Sequence, residues 1–434
     1  MNRTSEYELA DIFLVSISGE WGGEPFDEGN ALVLRAADFT KDCKLRDKIG
    51  VPRNIPKFKL GNRVLKNGDI LIEKSGGSPD QPVGRVVFFD RGDEKEVYIH
   101  SNFLQLLRVA EGFDEKFSYY LMSFLYSIGL VFRYQQQTTG IINLKLENYL
   151  QEKVSVPSIS VQRRIQEILT TTDLTITHTE ALIQKYQQIK AGLMHDLFTC
   201  GIGADGKLRP PRDQAPELYQ ESAIGWIPKN WEIQCCSDLC TRICVGIVIQ
   251  PTQYYVEDGI PAFRSANVRE DGIDPNNFVY ISPKSNKLLV KSQVKEGDIL
   301  SVRTGYPGTS AVVPEEFNGA NCIDILISTP GIQINSEYLC YWVNSSFGKE
   351  QVLRQQGGMA QQHFNVGEMR QLLVALPNMS EQLLIVDRLG MCDNKLKAEK
   401  ATLIKLKKQK SGLMHDLLTG KVPVNVDLEE VAHV

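Results

Sequence analysis

The stretch Gly192-Leu193-Met194-His195-Asp196-Leu197 occurs a second time in the chain, as Gly412-Leu413-Met414-His415-Asp416-Leu417. Upstream of each copy the similarity continues, so that residues 157–199 align with residues 377–419 at a constant offset and without a gap. A match of this length indicates an internal duplication. We therefore expect two similar structures within one chain.

The aligned blocks each carry apolar residues at helical spacing, such as Ile165, Ile168 and Leu169 in the first. Ser160 and Ser380 are candidate N-caps, and a glycine follows each block, which predicts two helices of about 38 residues, or about 57 Å. One such helix alone would expose a long apolar stripe, whereas two can cover each other. The pattern predicts an antiparallel coiled coil between two globular domains. Packing of each helix on its own domain is the alternative.

The regions upstream of the helices are similar but variable. Gly68-Asp69-Ile70-Leu71 returns as Gly297-Asp298-Ile299-Leu300, and we match Tyr120-Leu121 with Tyr338-Leu339 at a different offset. Short β-like runs alternate with turns and a few helical segments. We predict an α+β fold with two pseudo-repeated mixed α/β domains, joined by two long antiparallel helices that form a coiled coil. The expected division is a first variable domain at 1–155, a first conserved helix at 156–200, a linker at 201–225, a second variable domain at 226–375, and a second conserved helix with a C-terminal tail at 376–434.

The composition is that of an ordinary water-soluble protein, with 42% apolar and 23% charged residues among 434. No apolar run is long enough for a membrane span, and residues 1–8 lack the layout of a signal peptide. We expect a cytoplasmic protein whose nine cysteines are reduced thiols. The net charge of −5 argues against a free-standing DNA-binding protein, although local basic patches can still contact phosphates.

Catalytic and metal motifs are incomplete. Residues 201–207 fit the spacing of a phosphate-binding loop, but Leu208 follows where a hydroxyl is required. Cys235, Cys236, Cys240 and Cys244 are bunched, which favours free thiols over a structural zinc site. Asp69 and Glu73 lie close together, but the second copy has no acid at the position of Glu73. We therefore predict no catalytic residues and no metal site.

The order and duplication of these motifs resemble the DNA-specificity subunit of type I restriction-modification enzymes. Residues 224–232, Ile-Gly-Trp-Ile-Pro-Lys-Asn-Trp-Glu, resemble the entry to the second target-recognition domain of that family. The Gly-Asp-Ile-Leu stretches resemble its strand motif, and residues 412–421 resemble the end of its conserved helix. The first domain departs from the pattern, because no Gly-x-Ile-Pro-x-x-Trp occurs before residue 20.

The resemblance implies a function without catalysis by this chain. Each variable domain would be a target-recognition domain that reads one half of a bipartite site in double-stranded DNA. The helix pair would set the spacer and dock two methyltransferase subunits, with restriction/translocase subunits as further partners. The chain itself would need no cofactor: S-adenosylmethionine would belong to the methyltransferase, and ATP and Mg to the restriction subunit. The candidate partner-binding residues lie in the repeated motif: Leu193, Met194, His195, Leu413, Met414 and His415.

Base readout requires side chains with paired donors and acceptors on backbone that enters a groove. The candidates that follow the Gly-Asp-Ile-Leu strands are Lys74, Ser75, Gly76 and Ser78 in the first domain, and Arg303, Thr304 and Tyr306 in the second. Polar clusters late in each domain add Gln135, Gln136, Gln137, Thr138 and Thr139, and Gln355, Gln356, Gln361, Gln362 and His363. We expect all of them on flexible loops, with a solvated turn as the alternative. The lysines of the second helix could contact phosphate or a partner, or form a solvated face.

Two other functions remain open from the residues alone. A single-chain nuclease or methyltransferase with a divergent site would act on DNA without a partner. A duplicated protein-interaction scaffold would show no sequence preference in any complex, and the net charge of −5 mildly favours it.

Overall fold

The structure is a computed structural model that describes residues 4–25, 28–78, 81–91, 95–138, 141–354 and 363–425. The chain divides into two compact units. Unit 1 comprises Met1–Thr179 with Thr402–Val434, and unit 2 comprises Glu180–Ala401. Each unit therefore contains one variable domain and parts of two long helices.

Unit 1 is built on short strands with few helices. Its strands are β1 (Thr4–Glu8), β2 (Phe13–Ser18), β3 (Ala31–Leu34), β4 (Val51–Arg53), β5 (Ile70–Glu73), β6 (Ser75–Gly77), β7 (Val86–Phe88), β8 (Tyr98–His100), β9 (Leu104–Val109), β10 (Gln135–Thr138), β11 (Ile141–Leu144) and β12 (Lys153–Pro157). Its helices are α1 (Lys57–Leu60), α2 (Glu115–Ser127), α3 (Leu146–Tyr149) and the first half of α4 (Ile159–Thr199).

The central sheet of unit 1 has the antiparallel order β2-β9-β5-β7. Every residue of β5 is buried, because one face packs on α2 and the other on the layer formed by β4, β3 and β8. A separate three-stranded sheet, β10-β11-β6, continues from the end of β5. The central sheet thus fixes the position of the polar residues that follow β5.

Unit 2 follows the same plan. Its strands are β13 (Tyr219–Ser222), β14 (Gly225–Pro228), β15 (Glu232–Cys235), β16 (Cys240–Val245), β17 (Tyr255–Val256), β18 (Ile260–Phe263), β19 (Val268–Arg269), β20 (Gly272–Ile273), β21 (Val279–Ile281), β22 (Ile299–Val302), β23 (Ser310–Val312), β24 (Asn321–Cys322), β25 (Ile325–Pro330) and β26 (Leu373–Leu376). Its helices are α5 (Cys236–Leu239), α6 (Pro283–Leu288), α7 (Ser336–Asn344), α8 (Ser346–Arg354), α9 (Val366–Gln371) and most of α10 (Met379–Leu418). The sheet β16-β25-β22-β23 corresponds to β2-β9-β5-β7.

The match between α2 and α7 differs from the one expected from the sequence. The N-cap side chains of Asp114 and Asn335 accept hydrogen bonds from the N–H groups of Phe117 and Tyr338. Phe117 therefore corresponds to Tyr338, and Tyr120 corresponds to Tyr341. The predicted pairing of Tyr120 with Tyr338 is wrong by about one helical turn, because two similar tyrosine-containing turns follow each other in α7.

The two conserved helices have nearly equal lengths, with 41 residues in α4 and 40 in α10. These lengths correspond to about 60 Å each. The helices begin before Ser160 and Ser380, which are therefore not the N-caps; the Asn378 side chain instead accepts from the Glu381 N–H at 3.0 Å. The glycines at 201 and 420 take positive φ angles at the C-terminal ends, as the sequence predicts.

Ion pairs join the two helices within each unit. In unit 2, Lys190 bonds Asp393 at 2.6 Å, and Lys395 lies over the ring of Tyr186, so the two segments run antiparallel there. In unit 1, Lys410 bonds Asp173 at 2.9 Å. The helices also contribute to the domain cores, since Ile165 and Leu169 pack in the same cluster as α2. The apolar stripes therefore serve the domains as well as the helix pair.

Within the described residues, no helix combines the length and apolar character that a bilayer crossing requires.

Candidate nucleic-acid interface

The aspartate of each Gly-Asp-Ile-Leu stretch supports the loop that precedes its strand. Asp69 accepts from the Lys66 N–H at 2.8 Å, and Asp298 accepts from the Lys295 N–H at 2.9 Å. Both carboxylates are almost fully buried. The motif is therefore repeated for a structural reason, because the buried acid fixes the turn into β5 or β22.

The arginine that neutralises this carboxylate comes from a different strand in each domain. In unit 1, Arg108 on β9 bonds the two oxygens of Asp69 at 2.7 Å. In unit 2, Thr329 occupies the corresponding position on β25, and Arg242 on the neighbouring strand β16 bonds Asp298 at 2.6 Å. The charge balance is thus kept although the donor has moved to another strand.

The two predicted polar clusters of the first domain lie in one sheet. Strand β11 pairs with β10 on one side and with β6 on the other. Gln136 and Gln137 on β10 are therefore separated from Ser75 and Gly77 on β6 by a single strand. The expectation that these residues form flexible loops is wrong for the described part, because Gln135–Thr138 and Ser75–Gly77 are strands. Backbone pairing overrides their weak β propensity. Thr139 lies outside the described residues.

The side chains of this sheet differ in their availability. Gln136 and Gln137 are exposed, whereas the Gln135 amide donates to the Val83 carbonyl at 3.2 Å. The Lys74 ammonium donates to Gln105 at 3.1 Å, and burial lowers the pKa of Lys74. Ser75 bonds Asn143 at 2.5 Å, and Gly76 and Ser78 are exposed. Gln136 and Gln137 are therefore the best placed of this cluster to meet a base edge.

In the second domain Arg303 links two parts of the candidate interface. Its guanidinium pairs with Asp324 and donates to Asn365 at 3.0 Å, while its carbonyl accepts from the Phe364 N–H at 2.9 Å. These bonds hold His363, which is exposed, beside the segment that follows β22. Gln355, Gln356, Gln361 and Gln362 lie outside the described residues. Arg303 thus has its donors engaged in positioning the neighbouring segment.

A cleft of about 970 Å³ opens beside this segment within unit 2. Thr304 and Tyr306 are among its lining residues, and Tyr306 is 82% exposed. The helices α4 and α10 also line the cleft, with Lys397 and Lys400 among their contributions. A cleft that holds both an exposed aromatic ring and basic side chains suits a nucleic acid, because the ring can meet a base and the lysines its phosphates.

A smaller cavity of about 460 Å³ in unit 1 adjoins two of the predicted residues of the first domain. Trp21, Arg35 and Phe103 line it together with Ser75 and Gly76. Arg35 also pairs with Asp38 at 3.4 Å. Trp21 and Phe103 are far apart in the sequence, and only folding brings them into one cavity. No sequence pattern could therefore predict that they lie together.

The repeated Leu-Met-His motif packs partly inward. Met414 is buried in the core of unit 1, and Leu193 and Met194 pack against the core of unit 2. Leu413 also contacts the unit 1 core. His195 and His415 are exposed, and their rings contact Phe347 and Phe124 at centroid distances of 6.0 Å. The histidines are therefore the accessible members of the motif.

The four bunched cysteines are free thiols. Cys236 and Cys244 are buried, and burial raises the pKa of Cys240 to about 12. A protonated, enclosed thiol is a poor nucleophile and a poor metal ligand.

The family model described as "Type I restriction modification DNA specificity domain" matches residues 7–190 and 228–408. The chain belongs to the type I restriction-modification DNA specificity family. The resemblance inferred from the repeated motifs is thereby confirmed, and so is the α+β fold with two repeated domains. Members of this family serve DNA recognition and not catalysis, which agrees with the reading of the chain as a non-catalytic specificity subunit.

Two curated relatives of this specificity subunit come from Methanocaldococcus jannaschii. The putative type I restriction enzyme MjaX specificity subunit is 24% identical over 96% of this chain and 93% of its own length. The type I restriction enzyme MjaVIII specificity subunit is 22% identical over 88% and 84%. The crystal structure of a type I restriction-modification system S subunit from M. genitalium shares the fold, with a TM-score of 0.55, 14% identity, and coverage of 98% and 97%.

Proposed function

We propose that each recognition domain of this specificity subunit reads one half of a bipartite DNA site. The observation that carries the proposal is the duplication of the specificity domain, at residues 7–190 and 228–408. Two separate domains of one kind suit two separate half-sites. Within each domain, polar residues from distant parts of the sequence lie side by side, as base readout requires.

The reading residues of the first domain are proposed to be Lys74, Ser75, Gly76, Ser78, Gln136 and Gln137, with the two glutamines foremost; the Gln135 amide is held by the Val83 carbonyl. Those of the second are Thr304, Tyr306 and His363, with Arg303 as a positioning residue. We separate reading from positioning residues by whether the side chain is free to contact DNA. The Arg303 guanidinium is bonded to Asp324 and Asn365, whereas Tyr306 is exposed. Unlike Arg303, the Gln136 and Gln137 side chains lie exposed on the outer strand of their sheet.

The two conserved helices are proposed to set the spacer between the half-sites and to dock two methyltransferase subunits. Their matched lengths of 41 and 40 residues support a spacer role. His195 and His415, together with neighbouring Leu and Met residues, are the proposed partner contacts. The methyltransferase would supply S-adenosylmethionine chemistry, and restriction/translocase subunits would supply ATP- and Mg-dependent cleavage. This chain would contribute recognition alone.

The test is a methylome comparison in a host that carries this chain and its methyltransferase partner. The control host lacks only this chain. Loss of one bipartite motif, with methylated adenines in both halves, is the expected result. An unchanged methylome in a host where the partner and chain copurify would reject the proposal, and methylation by the purified chain alone would favour a single-chain enzyme.

A further inference from the structure

The hairpin β19–β20 carries an acidic tip that faces basic side chains in the cleft of unit 2. Glu270 pairs with Lys349 on α8, and Asp271 pairs with Lys400 on α10 at 2.5 Å. All four side chains line the cleft that also contains Thr304 and Tyr306. The chain therefore places its own carboxylates on lysines beside the proposed reading residues.

The Asp271 carboxylate is charged in this setting. Burial opposes its ionisation, but the hydrogen bond from Lys400 and the charges of Lys400 and Lys397 outweigh burial and lower the pKa of Asp271. The ion pairs are partly open to solvent, with Lys400 and Asp271 each about two-fifths exposed. An exposed pair of this kind is exchangeable, because water and competing ions reach both partners.

The corresponding hairpin of unit 1 contacts a long helix through a base and not through an acid. There, Phe39 and Leu45 close a turn in which Lys44 pairs with Asp173 on α4 at 3.3 Å, while Asp42 in the same turn is exposed. The ion pair between hairpin and long helix therefore has the opposite polarity in the two units. The two carboxylates that bind lysines of the cleft belong to the hairpin of the second domain.

Lys349, Lys397 and Lys400 line the same cleft as Tyr306, so a DNA strand bound in this cleft would have these lysines available for its phosphates. Phosphate and carboxylate oxygens bind an ammonium group in the same way, so only one of them can hold each lysine closely. Phosphate contacts hold DNA of any sequence, whereas contacts to base edges depend on the sequence. Lysines that are already paired with carboxylates therefore weaken the binding of non-specific DNA more than the binding of the recognised sequence.

We propose that Glu270 and Asp271 compete with DNA phosphates for Lys349 and Lys400, and that they thereby increase the sequence specificity of the second recognition domain. The inference rests on the proposed function, since it assigns DNA to this cleft. It adds two specificity-determining residues that contact no base.

The experiment uses the full chain assembled with its methyltransferase partner. Binding is measured over a range of salt concentrations to two duplexes of equal length. One contains the bipartite motif that the methylome comparison identifies, and the other has a scrambled sequence. In a Glu270→Gln, Asp271→Asn variant, two freed lysines should gain phosphate contacts. The affinity for the scrambled duplex should rise about tenfold, and its logarithmic salt dependence should steepen by about two. The affinity for the motif duplex should rise less, so the ratio of the two affinities falls.

Two further variants separate the inference from a general charge effect. A Glu315→Gln, Glu316→Gln variant removes the same charge from an exposed turn of the same domain, away from the cleft. It should leave the affinity ratio unchanged. Adding Lys349→Gln and Lys400→Gln to the first variant should restore the weak binding of the scrambled duplex, and thermal unfolding checks that every variant is folded.

The outcomes distinguish the inference from the function on which it rests. A parent complex that shows no preference for the motif duplex would reject the proposed function. A preference in the parent complex, combined with an unchanged or reduced affinity of the first variant for the scrambled duplex, would overturn only the competition. An equal rise in the Glu315→Gln, Glu316→Gln control would also overturn it.

Discussion

Among the ion pairs that the described residues of the first domain form, the Glu73–Arg85 pair is the most enclosed, with side chains 2% and 4% exposed. Arg85 bonds both carboxylate oxygens at 2.9 Å and also donates to the carbonyls of Phe39 and Ala36. In the second domain, Val302 on β22 occupies the position of Glu73, and Thr309, which precedes β23, occupies the position of Arg85. The fold therefore accepts either a buried ion pair or an uncharged valine and threonine at this site.

Replacing one partner of this pair should be far more damaging than replacing both. Arg85→Thr leaves the Glu73 carboxylate buried without its cation, which should cost about 3–5 kcal/mol in the free energy of unfolding. Adding Glu73→Val to the same chain should recover a large part of this loss. Urea unfolding of the two single variants and the double variant checks the expectation. Additive losses would contradict it.

Asp173 gives the first unit a predictable dependence on pH. Burial opposes its ionisation, but Lys410, Lys44 and the Tyr120 hydroxyl outweigh burial and hold its pKa below the usual value. A carboxylate with a lowered pKa stabilises the fold fully above its unfolded pKa of about 3.9, and the effect is lost as pH falls through the folded value.

Asp173→Asn should therefore reduce the free energy of unfolding by roughly 1.5–3 kcal/mol at neutral pH. The difference between parent and variant should shrink below about pH 4, as the parent carboxylate becomes protonated. Denaturant unfolding at a series of pH values tests this. A difference that stays constant down to the lowest pH at which the chain folds would show that Asp173 acts through packing and not through charge.

Among the secondary-structure elements, the sheet β10-β11-β6 separates what sequence reasoning could and could not anticipate. The Gln-Gln-Gln-Thr run has no alternation of apolar and polar residues, so nothing local predicts a strand there. It becomes a strand because it pairs with β11, whose other edge is held by β6. By contrast, the two long helices were predictable almost in full, because their apolar spacing and the glycine that follows each of them are local signals.

The exposed outer strand of this sheet makes a direct prediction for DNA reading. Gln136→Ala and Gln137→Ala are made as separate single variants. Each should relax the base preference at one position of one half-site only. If the residue reads adenine, the loss in discrimination between adenine and the other bases should be about 1–3 kcal/mol. Gln135→Ala is the matched control, since its amide is bonded to the Val83 carbonyl. The methylome of a host carrying each variant reports the change. Relaxation in both half-sites, or none from either variant, would count against this assignment.

For the molecule as one chain, the duplication was the most informative signal in the sequence. It gave the repeated domains and the matched helices, since both are visible as aligned residues. It could not give the correspondence of Tyr120 with Tyr341, because the loops between strands differ in length and two tyrosine-containing turns compete. The pairing of Asp69 and Asp298 with arginines on different strands was equally hidden, since it depends on sheet order.

A spacer role for the helices predicts a change that leaves the half-sites themselves intact. One extra helical turn in each helix, inserted at exposed positions, adds about 5.4 Å. At ~3.4 Å per base pair, the unspecified spacer should lengthen by about one or two base pairs. Methylome sequencing would reveal the same half-site bases with a longer gap. Altered half-site bases with an unchanged gap would refute the spacer role.

The arginine that changes strands between the domains also bears on how such a chain can evolve. A copy that carried arginine on both strands would keep its buried carboxylate neutralised at every step, whichever arginine was later lost. The interior can therefore drift through a series of viable ancestors while the turn into β5 or β22 stays fixed. Changes in the buried framework and changes at the edge proposed to face DNA can then occur independently, and a new recognition surface can arise on either copy without rebuilding the domain beneath it.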